Sequence, residues 1–180
     1  MSIRRLNRVP VVVLTGVENA GKTTLAKGLA DALGWDCLLE AARTDEVVLR
    51  GQEDHAHLTT LLTQFDQQLR TLIQTAQRGV ICDTGALVLD IWAEKLWEQS
   101  IDGARAVMLN ADLHLLCHTL PRWEPDPLRT MPHLDDRLAL QSEYHQRLVQ
   151  SAQPFEVLHA APPRERLDMA LASIQQHLDA

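Results

Sequence analysis

Short apolar runs alternate along the chain with longer segments in which apolar residues recur every three or four positions. The first pattern is typical of strands that are covered on both faces, and the second of helices that pack on a sheet. Their alternation favours an α/β protein with a parallel sheet. With 180 residues, the chain is long enough to bury a sizeable core, and we expect one domain over 1–180.

The apolar runs predict five strands, at residues 11–15, 35–40, 79–84, 112–119 and 154–160. Helical periodicity predicts five helices, from the first glycine-rich loop to Leu33, at 56–77, at 86–99, at 134–152, and from Pro162 onwards. The segment 120–133 contains four prolines, so it is predicted to be a loop rather than the interior of an element.

A glycine-rich loop directly follows the first predicted strand. Gly16, Gly21, Lys22 and Thr23 match the pattern G-x-x-x-x-G-K-[ST], in which backbone N–H groups and a helix N-terminus surround a phosphate. The lysine of this pattern reaches the β- and γ-phosphates, and the hydroxyl binds Mg²⁺. We therefore expect ATP and Mg²⁺ as cofactors, with the nucleotide bound by Gly16, Asn19, Ala20, Gly21, Lys22, Thr23 and Thr24.

Acidic residues end two of the predicted strands. Asp83 is expected to hold the metal together with Thr23, although it could instead cap the next helix, a role that Thr84 could also take. Glu40 could take a proton from a substrate hydroxyl, and Arg43 could hold substrate or phosphate. The alternative is that Glu40 and Arg43 form a surface ion pair or cap a helix. Either Glu40 or Asp83 could be the catalytic base.

The proline-rich loop carries two arginines and a tryptophan. Phosphoryl transfer needs cations over the transferred group, and a mobile lid near 119–133 could deliver Arg129 or, with less support, Arg122. The alternative is that both arginines are solvated loop residues. Trp123 could stack on a flat or cationic ring, or it could anchor the loop to the core.

Composition excludes several classes of partner. The net charge is −7, and the chain has no basic run, which argues against nucleic-acid binding. No apolar run approaches the length of about 18 residues that spans a membrane. We interpret the basic start, with Arg4, Arg5 and Arg8, as a solvated lead-in to the first strand rather than an export signal.

The cysteines and histidines do not predict a metal centre. The cysteines are odd in number and widely spaced, and we expect reduced core thiols in a cytoplasmic protein, at Cys37, Cys82 and Cys117. The histidine pairs lack an acid or a cysteine to complete a zinc site. They are His55 with His57 and His114 with His118.

Four segments together resemble a known family. They are "GVENAGKTTLAKGLA" from Gly16, "EAAR" from Glu40, "CDTGALVLDIWAEKLW" from Cys82, and "DLHLLCHTLPRWEPDPLR" from Asp112. The chain resembles, over most of its length, the nicotinamide-riboside kinase domain of bacterial NAD-salvage and regulator proteins. That domain is one of the P-loop nucleoside and nucleotide kinases with AAA-type ATP binding. The resemblance implies a three-layer α/β/α fold with a five-stranded parallel sheet in the order 2-3-1-4-5.

The resemblance also implies an activity. In this family ATP donates its γ-phosphate to the 5′-hydroxyl of a ribosyl pyridine. Lys22 and Thr23 would handle ATP and Mg²⁺, and Asp83 would serve as metal ligand or base. The remaining implied residues are Glu40 and Arg43 facing the nucleoside, Trp123 and Trp92 as walls for the ring, Asp126 at the ribose or the ring charge, and Arg129 acting from the lid.

Two positions depart from the family pattern. Gly85 stands where the family usually has a second acid, and Pro127 stands where a glycine is common. These departures bear on metal binding, on the choice of substrate and on the stiffness of the lid. We therefore keep two alternatives to a nicotinamide-riboside kinase, which are a kinase for another nucleoside, nucleotide or metabolite and a P-loop ATPase that acts as a regulatory switch. A homodimer is also possible.

Overall fold

Five parallel strands form the centre of the computed structural model, which describes residues 8–126 and 129–179. In chain order the strands are β1 (Val11–Thr15), β2 (Asp36–Leu38), β3 (Val80–Asp83), β4 (Leu113–Cys117) and β5 (Phe155–Leu158). Their order across the sheet is β2-β3-β1-β4-β5, and every neighbouring pair is parallel. The predicted fold class and strand order are therefore confirmed.

Helices cover both faces of the sheet. They are α1 (Lys22–Leu33), α2 (Glu46–Leu49), α3 (His55–Thr75), α4 (Ala86–Trp97), α5 (Ala104–Met108), α6 (Leu134–Ser151) and α7 (Pro163–Asp179), with a 3-10 turn at Ala41–Arg43. The five long helices were predicted from periodicity. The short helices α2 and α5 and the 3-10 turn were missed, because so few residues cannot display a helical period.

The predicted bounds of β2 were too wide. Its strand covers only Asp36–Leu38, whereas the apolar pattern suggested 35–40. The chain leaves the sheet after Leu38 and enters the 3-10 turn through Glu40, which has an extended backbone. Glu40 therefore lies beyond the carboxyl end of β2, and ligands of open α/β proteins bind at the carboxyl ends of the strands.

The first strand shows how the layers are assembled. All five residues of β1 are buried, as expected for a strand that is covered on both faces. Alternate side chains point to opposite faces, so that Leu14 packs in one apolar cluster with Leu29 of α1, and Val13 packs in another with Leu69 of α3. This central position brings the end of β1 next to the ends of β3 and β4.

The start of β1 is fixed by polar contacts. Arg8 donates to a carboxylate oxygen of Asp112 at 3.1 Å, and the Val11 N–H donates to the other oxygen at 2.8 Å. Arg8 is therefore an ion-pair partner rather than a freely solvated residue. Arg4 and Arg5, which were predicted to belong to the same lead-in, lie outside the described residues.

Two further observations concern the chain as a whole. In residues 8–126 and 129–179, no helix is long and apolar enough to cross a membrane. All three cysteines are free thiols, and Cys82 and Cys117 are buried, whereas Cys37 is half-buried. The expectation of reduced thiols in the core is thus confirmed for Cys82 and Cys117.

Candidate active site

The glycine-rich loop runs from the end of β1 into α1. Gly16 has a φ of +124°, and a Cβ atom at this position would lie 2.7 Å from the Cys117 carbonyl oxygen of β4. Only glycine fits both the dihedral and the space. Asn19 and Gly21 also adopt left-handed backbone conformations, with φ values of +58° and +73°. These positions curl the loop so that α1 begins at Lys22.

Lys22 is buried at the centre of this loop. Its ammonium group donates to the carbonyl oxygens of Gly16 at 2.9 Å and Val17 at 2.8 Å. Burial lowers the pKa of Lys22, and the nearby carboxylates of Glu40 and Asp83 act in the opposite direction. The loop therefore holds a desolvated cation close to two acids, one at the end of β3 and one in the segment that follows β2.

The first turn of α1 leaves donors available beside this cation. Gly21 precedes the helix without a side-chain cap, and the turn contains no acidic residue. The first N–H groups of a helix lack intrahelical acceptors and carry partial positive charge. Thr23 is half-buried in this turn and Thr24 is exposed. The turn is thus suited to bind an anionic group.

Asp83 ends β3 directly beside Leu14 of β1. Its side chain is buried, and neither carboxylate oxygen has a hydrogen-bond partner among the described residues. A buried carboxylate without a hydrogen-bond partner is energetically costly. The two carboxylate oxygens of Asp83 are therefore available to bind a ligand. The alternative that Asp83 caps α4 is wrong, because the helix begins after Gly85 with no side-chain cap.

Thr84 directly follows this acid in a strained conformation. Its φ is +77°, which is unusual for a β-branched residue, and its buried hydroxyl has no partner in the described structure. The cap role proposed for Thr84 is therefore also wrong. Backbone strain of this kind is concentrated at functional sites, where the surrounding structure enforces it.

Glu40 and Asp126 share one arginine. Arg43 Nε lies 2.9 Å from a carboxylate oxygen of Glu40, and its Nη1 lies 3.3 Å from a carboxylate oxygen of Asp126. Burial raises the pKa of Glu40, although Lys22 and Arg43 counteract this effect. The predicted ion pair exists, and it joins the end of β2 to the proline-rich loop.

The proline-rich loop is closed over the phosphate loop. Arg129 donates to the side-chain oxygen of Asn19 at 3.0 Å, and Asn19 donates to the Arg122 carbonyl oxygen at 2.6 Å. The Glu18 carboxylate accepts hydrogen bonds from the backbone N–H groups of Thr130, at 3.0 Å, and Met131. Of the two candidate arginines, Arg129 reaches the phosphate loop with its side chain, whereas Arg122 is exposed. Pro127 lies outside the described residues.

Trp123 is half-buried and packs against an arginine of α6. Its ring lies 5.0 Å from the guanidinium carbon of Arg137, in the first turn of α6. This contact corresponds to the alternative in which Trp123 anchors the loop. The other predicted wall, Trp92, is half-buried against the main core.

Two buried arginines of this region were not predicted as site residues. Arg137 bridges both ends of the loop, with Nε bonded to Thr119 Oγ1 at 3.1 Å and Nη1 to the Pro132 carbonyl oxygen at 2.7 Å. Arg166 of α7 donates to the Ala20 carbonyl oxygen at 2.8 Å. Both occupy the apolar stripe of their helices, and an arginine on such a stripe is the signal that could have identified them.

A narrow cleft opens beside Glu40 and Asp83. It encloses about 390 Å³ of space, including its open mouth, and is lined by Leu39, Glu40, Ala41, Ala42, Leu61, Phe65, Gln68, Asp83, Thr84, Gly85 and Leu89. Neither Trp92 nor Trp123 is among these residues. A second cleft, between α4, α5 and α6, contains none of the predicted site residues.

Gly85 has a structural reason to lack a side chain. A Cβ atom at this position would lie 2.7 Å from Val13 Cγ1 of β1 and 3.6 Å from Phe65 Cζ of α3. The second acid that the family usually carries here would collide with buried Val13. The end of β3 therefore supplies a single carboxylate, from Asp83, where the family pattern supplies two.

The donors available to a metal ion are correspondingly few. In the described part of the chain, no group of three or more His, Cys, Asp or Glu side chains could hold a metal ion. The unpartnered oxygens of Asp83 fit a Mg²⁺ ion that takes its other ligands from phosphate, water and a hydroxyl such as that of Thr23.

Comparisons with known proteins identify the family and the fold. A family model described as an AAA domain matches residues 11–166. The NadR protein in complex with NR is 22% identical, over 96% of this chain and 52% of the NadR chain, with a TM-score of 0.77. The chain thus spans about half the length of NadR. No curated protein is significantly similar to the chain.

Two complete small kinases share the fold. Deoxyadenosine kinase from M. mycoides, with dCMP and dCDP bound, is 15% identical over 92% of this chain and 99% of that chain, with a TM-score of 0.68. Shikimate kinase from Acinetobacter baumannii is 16% identical over 93% and 94%, with a TM-score of 0.62. The family match over most of the chain, the phosphate loop and the strand order show that this protein belongs to the AAA domain family and has the fold of P-loop kinases.

Proposed function

We propose that this protein is an ATP-dependent kinase that transfers the γ-phosphate to a hydroxyl group of a nucleoside, and that the acceptor is nicotinamide riboside. The observation that carries the proposal is the buried, unpartnered carboxylate of Asp83 beside the buried ammonium group of Lys22. The similarity of the fold to NadR in complex with NR supports the choice of acceptor. The domain would act as one unit, with 119–133 as its lid.

One set of residues would bind the phosphates of ATP, and another would bind the acceptor. Lys22 would leave the loop carbonyls and neutralise the β- and γ-phosphates, while the first turn of α1 binds the remaining oxygens. Bound Mg²⁺, held by Asp83 and Thr23, would shield charge on the phosphates. Arg129 would contribute a second cation from the lid, which is already in contact with the phosphate loop through Asn19.

The acceptor hydroxyl would enter the cleft beside Glu40 and Asp83. As its oxygen forms a bond to the γ-phosphorus, its proton passes to one of these carboxylates and the bond to the bridging oxygen of ADP breaks. Glu40 suits the role of base because burial raises its pKa towards neutrality. Asp83 suits the role of metal ligand, and the two roles are separable by mutation.

The first experiment measures Mg·ATP-dependent ADP release with nicotinamide riboside, common nucleosides and nucleoside monophosphates. Lys22→Ala should abolish turnover, while Lys27→Ala, which changes an exposed lysine of the same helix, should leave it unchanged. Turnover with a different acceptor would support the kinase activity but would rule out nicotinamide riboside as the acceptor. Intact ATP binding without turnover of any acceptor would contradict the kinase itself.

A second candidate is a regulatory ATPase that changes its contacts with a partner. It is favoured by the closed lid and by the engagement of Lys22 with the loop carbonyls of Gly16 and Val17. Such a switch would hydrolyse ATP slowly without an acceptor, and its partners in a pull-down would differ between ATP and ADP. A kinase would instead release ADP only when the acceptor is present.

A further inference from the structure

The segment between β2 and α3 carries Glu40 and Arg43, yet it has little apolar anchorage. Within residues 39–54 the buried side chains are those of Ala42 and Val48, and both belong to the main core. The regular structure of this segment is limited to the 3-10 turn and the four residues of α2. Helices of this length are unstable on their own, so the segment depends on polar contacts to keep its place.

Consecutive backbone hydrogen bonds join Glu40 to α2. The N–H groups of Arg43, Thr44 and Asp45 donate to the carbonyl oxygens three residues earlier, at 3.3, 3.1 and 3.4 Å. The Leu49 N–H then donates to the Asp45 carbonyl oxygen at 2.9 Å. Because these bonds are continuous, a displacement of Asp45 would be transmitted along the backbone to Glu40.

One carboxylate oxygen of Asp45 connects this segment to the neighbouring helix. It accepts hydrogen bonds from the Val47 and Val48 N–H groups, both at 3.0 Å, and it lies 2.9 Å from His57 Nε2 of α3. Since the partner is a carboxylate, Nε2 carries the hydrogen and donates it. Asp45 and His57 are both half-buried. The same oxygen therefore caps α2 and joins it to α3.

The first turn of α3 holds His57 in place. The His57 N–H donates to the Asp54 carboxylate, which caps this helix, at 2.8 Å. His55 Nε2 lies 3.1 Å from the Ser100 carbonyl oxygen, and the His55 ring packs edge-on against Trp97 at the end of α4. The His57 side chain therefore projects from a turn that is tied to a second helix, and it can serve as a fixed point for the segment.

We propose that Asp45 and His57 are positioning residues, which form a polar clasp that holds Glu40 and Arg43 in place for the acceptor. The inference rests on the proposed function, because it takes Glu40 as a carboxylate that meets the acceptor's hydroxyl. Neither residue of the clasp is among those that line the cleft, so the clasp acts through the segment. Arg43 also pairs with Asp126, so the clasp fixes the partner of a lid residue as well.

The first test separates turnover of the acceptor from binding of ATP. His57→Ala should lower kcat/KM for nicotinamide riboside about tenfold, because the carboxylate of Asp45 loses its bond to α3, and it should leave the dissociation constant of ATP unchanged. His57→Gln should regain most of this loss, since its amide group can donate from a similar position. His145→Ala, which removes an exposed histidine of α6, is the matched control.

A second background distinguishes positioning from a general effect on the fold. In the Glu40→Gln variant, His57→Ala should cause little further loss of kcat/KM, since the group that the clasp positions has already been replaced. A purely structural role of His57 would give the same fold-loss in both backgrounds.

Hydrogen exchange followed by mass spectrometry tests the clasp without turnover. Peptides from residues 39–54 should exchange about tenfold faster in His57→Ala than in the wild type, whereas peptides from α1 should not change. Equal exchange of 39–54 in the two proteins would overturn the clasp, as would an equal loss of kcat/KM in His145→Ala or an equal fold-loss in the Glu40→Gln background. The proposed function fails in a different way, through the absence of ADP release from the wild type with every acceptor, and the exchange of 39–54 then still decides whether the clasp restrains the segment.

Discussion

Arg129 and Asn19 lie 110 positions apart in the chain, yet the guanidinium group of one donates to the side-chain oxygen of the other at 3.0 Å. Asn19 occupies one of the unspecified positions of the G-x-x-x-x-G-K-[ST] pattern, and Arg129 belongs to the proline-rich loop. The contact couples the nucleotide-binding loop to the lid. Asn19 also donates to the Arg122 carbonyl oxygen, so that one side chain is tied to the lid at two points.

Removal of this coupling should loosen the lid. In Asn19→Ala, trypsin should cleave after Arg122 about tenfold faster than in the wild type, because a charge-assisted hydrogen bond and a second bond are both lost. Mass spectrometry of the fragments gives the cleavage rate. Asn110→Ala, which removes a side-chain bond to Asp66 far from the lid, should leave this rate unchanged. Equal rates in the wild type and Asn19→Ala would show that the contact does not restrain the lid.

Arg137 should be the residue of this region that contributes most to stability. Its guanidinium group is fully buried and bonds to Thr119, Leu120, Met131 and Pro132. Arg137→Met would leave these acceptors without a donor and should lower the free energy of unfolding by about 3 kcal/mol or more. Urea denaturation measures this change.

The matched control for Arg137 is Arg50→Met, since Arg50 forms an exposed ion pair with Glu46. This substitution should change the free energy of unfolding by less than about 1 kcal/mol. Comparable losses in the two variants would contradict the assignment of Arg137 as the residue that fixes both ends of the lid.

Two glycine-to-alanine substitutions should have opposite effects. At Gly85 the new methyl group would lie 2.7 Å from Val13 Cγ1, and this overpacking should cost about 1–3 kcal/mol. At Gly28, within α1, it would contact Leu167 at an ordinary 3.5 Å and should stabilise the helix by about 0.5–1 kcal/mol. Thermal unfolding of both variants checks the signs. A stabilised Gly85→Ala would show that the family's second acid could have been accommodated.

The raised pKa of Glu40 has a consequence for stability. Between the ordinary glutamate pKa and the raised one, the folded state binds more protons than the unfolded state, so stability falls as pH rises through this range. Glu40→Gln removes this titration. Relative to the wild type, its melting temperature should therefore increase as the pH rises above the ordinary glutamate pKa of about 4. Glu46→Gln, at an exposed site, is the control, and a constant offset for Glu40→Gln would contradict the burial effect.

The sheet could be predicted because its signals are local. Val11–Thr15 is an uninterrupted apolar run followed by a glycine motif, and both features depend only on neighbouring residues. The five long helices were predicted for the same reason. The short helix Glu46–Leu49 depends instead on Asp45, whose side chain accepts from the Val47 and Val48 N–H groups, and this cap was not recognised.

The candidate site could be predicted only where its residues belong to a motif. Lys22 and Asp83 follow from the pattern around them, whereas Arg166 binds the Ala20 carbonyl oxygen, which lies 146 positions away in the sequence. Arg137 binds groups at both ends of the lid, and no sequence motif joins these groups. The position of Trp123 was left open between two interpretations. Its packing on Arg137 depends on a contact across the end of the lid, which the sequence alone does not display.

The phosphate loop is held on two sides by contacts within the protein. Arg166 fixes its rear through the Ala20 carbonyl oxygen, and Glu18 and Asn19 fix its front to the lid. The principal change required of the loop itself is then the rotation of Lys22 away from the two carbonyl oxygens that it now contacts. The loop is therefore preorganised for binding. Most of the conformational entropy that the loop would otherwise lose when it binds a nucleotide has already been lost on folding.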